Sequence, residues 1–275
     1  MPVLRDRALL LKRFAFSESS LVAHLCTREH GRIHVLAKGA YRTTSRYFAV
    51  LDFLDSLEIE WQHDPRRDLG TLRGGSVSVR RRRIPEDREA WSAAGTMLEL
   101  ADLASRPGHP DPELHDLLEG GLAELDAGRS GSAATLAAFE LAYLVVLGLA
   151  PSLETCAACG GEAPPLHSPA AQRTGAVSRA AFSAGAGGRL CRRCAEEARA
   201  AGRRVGTLPV ETLDDARAFL ARGAAAGDRL PSARVDRVRD FAGRFLDYHL
   251  ETRPRTHRAF LSTPNRNASP EPVDA

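Results

Sequence analysis

Four cysteines carry the clearest chemistry in this 275-residue sequence. Cys156-Ala-Ala-Cys159 and Cys191-Arg-Arg-Cys194 are two C-x2-C pairs separated by 31 residues. Two residues between cysteines let one turn offer both thiolates to an ion, and two such turns complete a tetrahedral four-cysteine set for a single Zn2+. Gly160-Gly161 after the first pair and Gly187-Gly188 before the second permit the sharp backbone turns this needs. Four sulfurs leave no coordination position for water, so such an ion is structural rather than catalytic. Two other readings stay open. A redox C-x2-C should start a helix after a strand and has no use for a second pair; the alternative is a set of unrelated buried thiols. Cys26 sits in an apolar stretch and reads as an inert buried thiol. Paired cysteines suit a reducing cytosol, where they serve as metal ligands more often than as disulfides.

The second chemical signal is charge. Residues 1–83 hold 16 Lys and Arg against 9 Asp and Glu, whereas the remainder holds 22 against 26. A basic first unit on a mildly acidic body implies an anionic partner for that unit. Arginine outnumbers lysine on both sides of that division, so the excess is not by itself a sign of phosphate recognition. The candidate phosphate contacts are Lys12, Arg13, Arg28, Arg32, Lys38, Arg42 and Arg46, with Tyr41, Tyr47 and Phe48 interleaved as faces on which bases could stack. Lys38-Gly39-Ala40-Tyr41-Arg42 is the sharpest cluster, because Gly39 allows close backbone approach while its neighbours reach phosphate. Tyr47 and Phe48 read equally as barrel core, and Arg28 and Arg32 as the solvent face of a hairpin. Arg80–Arg83 is a run of four at the end of the basic unit, read as a solvated linker with some attraction to phosphate. Arg192, Arg193, Arg203 and Arg204 beside the cysteines are either surface or DNA contacts. His24, His30 and His34 come without an acidic set for a metal and read as surface or core histidines.

Elements must position these groups. Five short apolar or alternating runs at 8–16, 21–27, 32–37, 57–62 and 72–79 are separated by turn-rich segments, which predicts β-strands. Five strands in a basic unit of this size suit a small closed barrel, with the OB-fold as the commonest nucleic-acid-binding form. An SH3-like barrel or a small sandwich is the alternative. After Pro85 the periodicity turns helical, with helices expected at 86–104, 112–125, 133–149, 210–222 and 232–250. The third is apolar nearly all round and belongs at the centre of a bundle. The expected fold class is α+β: an N-terminal OB-fold barrel, then a helical domain with an inserted four-cysteine zinc module. Residues 1–83 form the nucleic-acid-binding domain, 84–154 and 205–261 the helical domain, 155–204 the zinc module, and 262–275 a disordered tail. No stretch reads as a membrane span or signal peptide, and no nucleotide-binding P-loop, GxGxxG, HExxH or GxSxG motif occurs, so the expectation is a cytoplasmic protein that is not an enzyme.

Several segments together resemble a known family. Residues 27–46 (TREHGRIHVLAKGAYRTTSR), 139–160 (FELAYLVVLGLAPSLETCAACG), 182–194 (FSAGAGGRLCRRC) and 245–261, closing on RAFL, are similar in order and kind to the bacterial DNA-repair protein RecO family of recombination mediators. The resemblance implies an OB domain, a helical domain and an inserted zinc module. It also implies binding to single- and double-stranded DNA, annealing of complementary strands, and help in loading RecA onto DNA coated by SSB. The implied partners are RecR and the acidic C-terminal tail of SSB, with the protein in the cytoplasm at the nucleoid. A different OB-fold and zinc nucleic-acid-binding factor, RNA-binding or transcription-associated, is the alternative.

Overall fold

A computed structural model describes residues 2–42, 44–45, 47, 50–63, 68–166 and 177–250. Arg46, Phe48 and the 262–275 tail lie outside the described residues. The first five strands are β1 (Val3–Ala15), β2 (Leu21–Thr27), β3 (Gly31–Ala37), β4 (Ser56–Gln62) and β5 (Leu69–Val79). They close into a barrel in the order β1-β2-β3-β5-β4. Every pairing is antiparallel except β3 with β5. This is the OB-fold topology expected from the sequence. Alternation puts Ala8, Leu10, Leu25, Val35, Leu57, Ile59 and Trp61 inside, where they form the barrel's own core.

β1 runs longer than its apolar pattern indicated, because it changes partner. Val3–Leu9 pair with β4 and Ala8–Ala15 with β2, with an irregularity between Leu10 and Lys12. Arg5, Asp6 and Arg7 mask the first half in the sequence. Leu9 and Leu11, two apart on the strand, both face the helices, so barrel and helical body share one core.

A short 3-10 turn (Ile84–Glu86) leads into α1 (Arg88–Ala104), followed by α2 (Pro112–Ala127) and α3 (Ser132–Val146). The first helix starts two residues later than its acidic run indicated because Asp87 is the N-cap, accepting from the amides of Glu89 and Ala90. Asp111 caps α2 in the same way, with Pro112 at its first turn and Gly128 in the left-handed conformation at its end. α3 ends at Val146 rather than 149, since the left-handed Gly148 turns the chain and the Leu149 amide reaches back to Leu144. As expected, α3 is central: Leu136, Leu141, Tyr143 and Leu144 are fully buried. It packs against α1, α2, α5 (Val210–Arg222) and α6 (Ser232–His249).

Between α3 and α5 lies a small unit with its own core of Cys156, Ala163, Ala181, Leu190, Cys194, Ala195 and Ala198. It contains β6 (Arg179–Ser183), β7 (Gly188–Leu190), α4 (Arg192–Ala200) and β8 (Gly206–Pro209), with sheet order β7-β6-β8. Phe182 anchors it to the helical body, meeting Phe241 at 5.2 Å and Phe245 at 6.0 Å between ring centroids. Among the described residues no helix is long and apolar enough to cross a membrane.

Candidate metal centre and nucleic-acid interface

The two C-x2-C pairs converge although they lie on different kinds of element. Cys156 and Cys159 sit in a tight turn closed by the Cys156 amide on the Gly161 carbonyl (2.8 Å) and the Gly160 amide on the Cys156 carbonyl (2.8 Å). Gly160 has φ +72°, the sharp turn expected of this glycine pair. Cys191 is the residue before α4 and Cys194 lies in its first turn. The four sulfurs lie within 4.8 Å of one another. Four thiolates at ~2.3 Å from one tetrahedral ion stand about 3.8 Å apart, so the set fits a single metal ion.

Electrostatics agree with that fit. Burial raises the Cys156 thiol, but backbone amides of Cys191, Cys159 and Ala158 outweigh it and bring the pKa down to about 6. Cys194 goes the other way, pushed up to about 12 by its hydrogen bond with Cys191 and by burial and the other two sulfurs. Four adjacent sulfurs cannot all hold charge unless a cation sits among them. Cys26 is separate from this group: burial pushes its thiol up to about 12, and it packs under the helices as the inert thiol expected.

The barrel's candidate cations divide into two sets. Lys12 forms an ion pair with the buried carboxylate of Asp102 on α1. Arg32 donates to the Asp102 carbonyl (3.0 Å) and lies 3.4 Å from the same carboxylate. Arg28 donates to both carboxylate oxygens of Asp116 on α2 (2.9 and 2.8 Å), holding that carboxyl down at about 2. Arg13 donates to the Leu51 carbonyl (2.9 Å) and lies over the Phe53 ring. These four are held by neighbours, three of them by the helical body.

Lys38, Tyr41 and Arg42 form the second set. Lys38 and Tyr41 are exposed and make no ion pair or side-chain hydrogen bond among the described residues; the same holds for Arg42. Their turn is pinned to the β1–β2 loop by the Tyr41 amide on the Ser19 carbonyl (3.0 Å) and the Gly39 amide on the Ser20 hydroxyl (3.2 Å). Gly39 has φ +69°. Phe16, Ser20, Leu36, Lys38 and Arg42 line a groove of about 330 Å³ beside the turn. Tyr47 is buried, its hydroxyl donating to the Leu72 carbonyl (3.3 Å), so it is a core residue and not a stacking face.

The four-arginine run is solvent-exposed at Arg80, Arg82 and Arg83, as a solvated linker would be, but not at Arg81. Arg81 is buried, and its guanidinium donates to the Leu54 carbonyl (2.5 Å), the Ser56 hydroxyl (3.0 Å) and the Glu119 carbonyl (3.3 Å). Burial lowers its pKa, while Glu119, Asp126 and Asp55 oppose that shift. The Arg83 amide donates to Asp126 (2.8 Å). Beside the cysteines, Arg192 pairs with Glu196 (3.0 Å) and Arg193 lies 3.9 Å from Glu197 along the exposed face of α4.

Sequence reasoning passed over Phe14 and treated His24 and His34 as surface or core. The structure brings the three rings together on the outside of the barrel. The period-2 alternation of β1, β2 and β3 was the signal that could have found them.

Two family models match the chain nearly end to end. Recombination protein O N terminal covers residues 1–79, and Recombination protein O C terminal covers residues 85–259. The chain belongs to the recombination protein O family. Among RecO relatives, the protein named DNA repair protein RecO from Anaeromyxobacter sp. (strain Fw109-5) is 31% identical over 255 residues, covering 93% of this chain and 94% of the relative. The protein of that name from Myxococcus xanthus (strain DK1622) is 32% identical over 248 residues, covering 90% and 93%. That from Nocardioides sp. (strain ATCC BAA-499 / JS614) is 29% identical over 249 residues, covering 90% and 94%. The RecO resemblance read from the barrel turn, the central helix and the two cysteine segments is thus borne out along both halves.

Proposed function

We propose that this chain is a DNA-binding recombination mediator of DNA repair, which anneals complementary single strands and helps load RecA onto SSB-coated DNA. The observation that carries this reading is the match to both halves of the RecO family over nearly the whole chain, with relatives named as DNA repair proteins. The OB barrel supplies the physical means. Its proposed DNA contacts are Lys38, Tyr41 and Arg42 at the open groove, with Arg46 following in sequence, and Lys12, Arg13, Arg28 and Arg32 contributing to the basic field around them. Binding of this kind is salt-sensitive and nearly blind to sequence, because phosphate contacts carry no base information. Annealing follows from it. Cations that neutralise two backbones at once lower their repulsion, and pairing then proceeds without ATP.

The proposed partners are single- and double-stranded DNA, RecR and the C-terminal tail of SSB, with RecA acting downstream, in the cytoplasm at the nucleoid. The protein is read as a binding factor and not an enzyme. We assign the cysteine cluster to one structural Zn2+, the ion that suits four soft thiolates in a closed tetrahedral set. On this reading 1–83 is the nucleic-acid-binding domain, 84–154 with 205–261 the helical domain, and 155–204 the zinc module.

Annealing of complementary strands coated by the cognate SSB tests the proposal. The expected result is acceleration by the folded protein that depends on the SSB tail. No acceleration would overturn the mediator reading, and a preference for RNA over single-stranded DNA in competition would favour a different OB and zinc factor.

A further inference from the structure

The strand register lays side chains out as a grid on the outer face of β1, β2 and β3. Lys12 is opposite His24, and His24 is opposite His34; in the next row Phe14 is opposite Val22, and Val22 is opposite Leu36. Leu10, Ala23, Leu25 and Val35 fill the barrel from the other face, so these two rows point outward. The rings in them touch. His24 and His34 stack with centroids 3.9 Å apart and planes 24° from parallel, and Phe14 meets His24 edge-on at 5.1 Å. Phe14 is 50% exposed and Phe16, just past the end of the same strand, 61% exposed, an unusual allocation of apolar surface on a barrel wall.

The surroundings of the strip say what would cover it. Burial lowers the pKa of both imidazoles, with His34 adding to the effect on His24 and Arg32 to that on His34; Asp102 works the other way on both. The lowering favours the neutral form of both rings at neutral pH. Positive charge stands at either end. Lys12 and Arg32 both pair with the carboxylate of Asp102, with Glu99 and Asp68 nearby, and Lys38 and Arg42 frame the groove at Leu36. A row of rings between cations matches a polymer that alternates flat bases with phosphates.

We propose that Phe14, His24 and His34 are the stacking strip for unpaired bases of single-stranded DNA, and that they set the preference of the barrel for single strands over duplex. This rests on the DNA-binding reading above and assigns its specificity. A duplex keeps its base faces stacked inside and engages only the cations, whereas an unpaired strand engages both.

The test uses the full chain and fluorescence anisotropy with a labelled oligo-dT and a labelled duplex of equal length at one salt concentration. Phe14→Ala, and His24→Ala with His34→Ala, should each weaken oligo-dT binding about tenfold and duplex binding less than twofold, since a stacked base contributes ~1–3 kcal/mol. His24→Phe with His34→Phe should keep the single-strand affinity, which a role for imidazole charge would not allow. A 2-aminopurine in the oligonucleotide should be quenched by the wild-type protein and less by Phe14→Ala. Thermal melts establish that each variant is folded. Equal losses for both DNAs, or unchanged oligo-dT binding by folded variants, would overturn the strip. If the wild-type protein binds neither DNA, it is the underlying DNA-binding reading that fails.

Discussion

The run Arg80–Arg83 and the turn Lys38–Arg42 hold the barrel's two most conspicuous groups of cations, and they occupy opposite physical situations. Arg81 is withdrawn from solvent and donates to three protein oxygens, while Lys38 and Arg42 stand at an open groove with no ion pair among the described residues. The sequence pointed to the turn as the sharper cluster and to the run as a solvated linker. Placement sets Arg81 apart from the rest of its run: it lies where the chain leaves the last barrel strand beside the start of β4 and the flank of α2, so its guanidinium meets oxygens of both units. Arg81 even holds Leu54, which has φ +79° in spite of its side chain, by donating to that residue's carbonyl. A cation buried between two elements cannot also serve a mobile polyanion, whatever its neighbours in sequence.

Three experiments would break or sharpen that contrast. Arg81→Met has the largest expected effect, about 2–4 kcal/mol of stability lost by chemical denaturation, because it leaves buried oxygens without a donor. Arg82→Ala, on an exposed neighbour, should stay within about 0.5 kcal/mol. Equal effects at the two sites would remove Arg81 as a tie between barrel and helices. Next comes Arg28, which lies between the two extremes. Its pair with Asp116 is partly exposed, so a double-mutant cycle with Arg28→Ala and Asp116→Asn should give a coupling well below the loss at Arg81. The Asp116 carboxyl is held at about 2, below its ordinary 3.8, so this contribution is present above pH 3.8 and fades as the pH falls towards 2. A coupling that survives full acidification would exclude the ion pair as its source. The smallest effect on stability belongs to Lys38→Ala with Arg42→Ala, which should lie within about 0.5 kcal/mol. The same pair should lower the salt slope of single-strand binding by about 1.4, at ~0.7 per phosphate contact. An unchanged slope would remove the turn from the interface.

Much of the architecture was legible because it follows from local periodicity. Five strands, the caps at Asp111 and Gly128, and the all-round apolar α3 are each written in consecutive residues. The cysteine spacing was equally local, and four sulfurs within 4.8 Å bear out the convergence inferred from two pairs. What escaped depends on pairs distant in sequence. Lys12 meets Asp102 ninety positions away, and Arg28 meets Asp116 eighty-eight away, so neither could be told from a free surface cation by reading outward from its own strand. The ring strip escaped for the same reason, since Phe14, His24 and His34 become neighbours only through strand register. α4 and the small sheet around the cysteines were hidden differently, by short elements whose burial is shared with the sulfur cluster.

The position of the cysteine unit between α3 and α5 bears on how quickly the helical body can assemble. Those helices pack together, yet roughly 60 residues separate the end of one from the start of the other. A metal ion joining Cys156 to Cys194 shortens that connection to roughly two dozen residues, which reduces the entropy of closing it by about 1 kcal/mol. Such an ion would act before the native state exists, as a shortcut in the search that brings the two helices together. Withholding it during refolding would delay docking of the C-terminal helices while leaving the barrel, complete by residue 79, free to form on its own schedule.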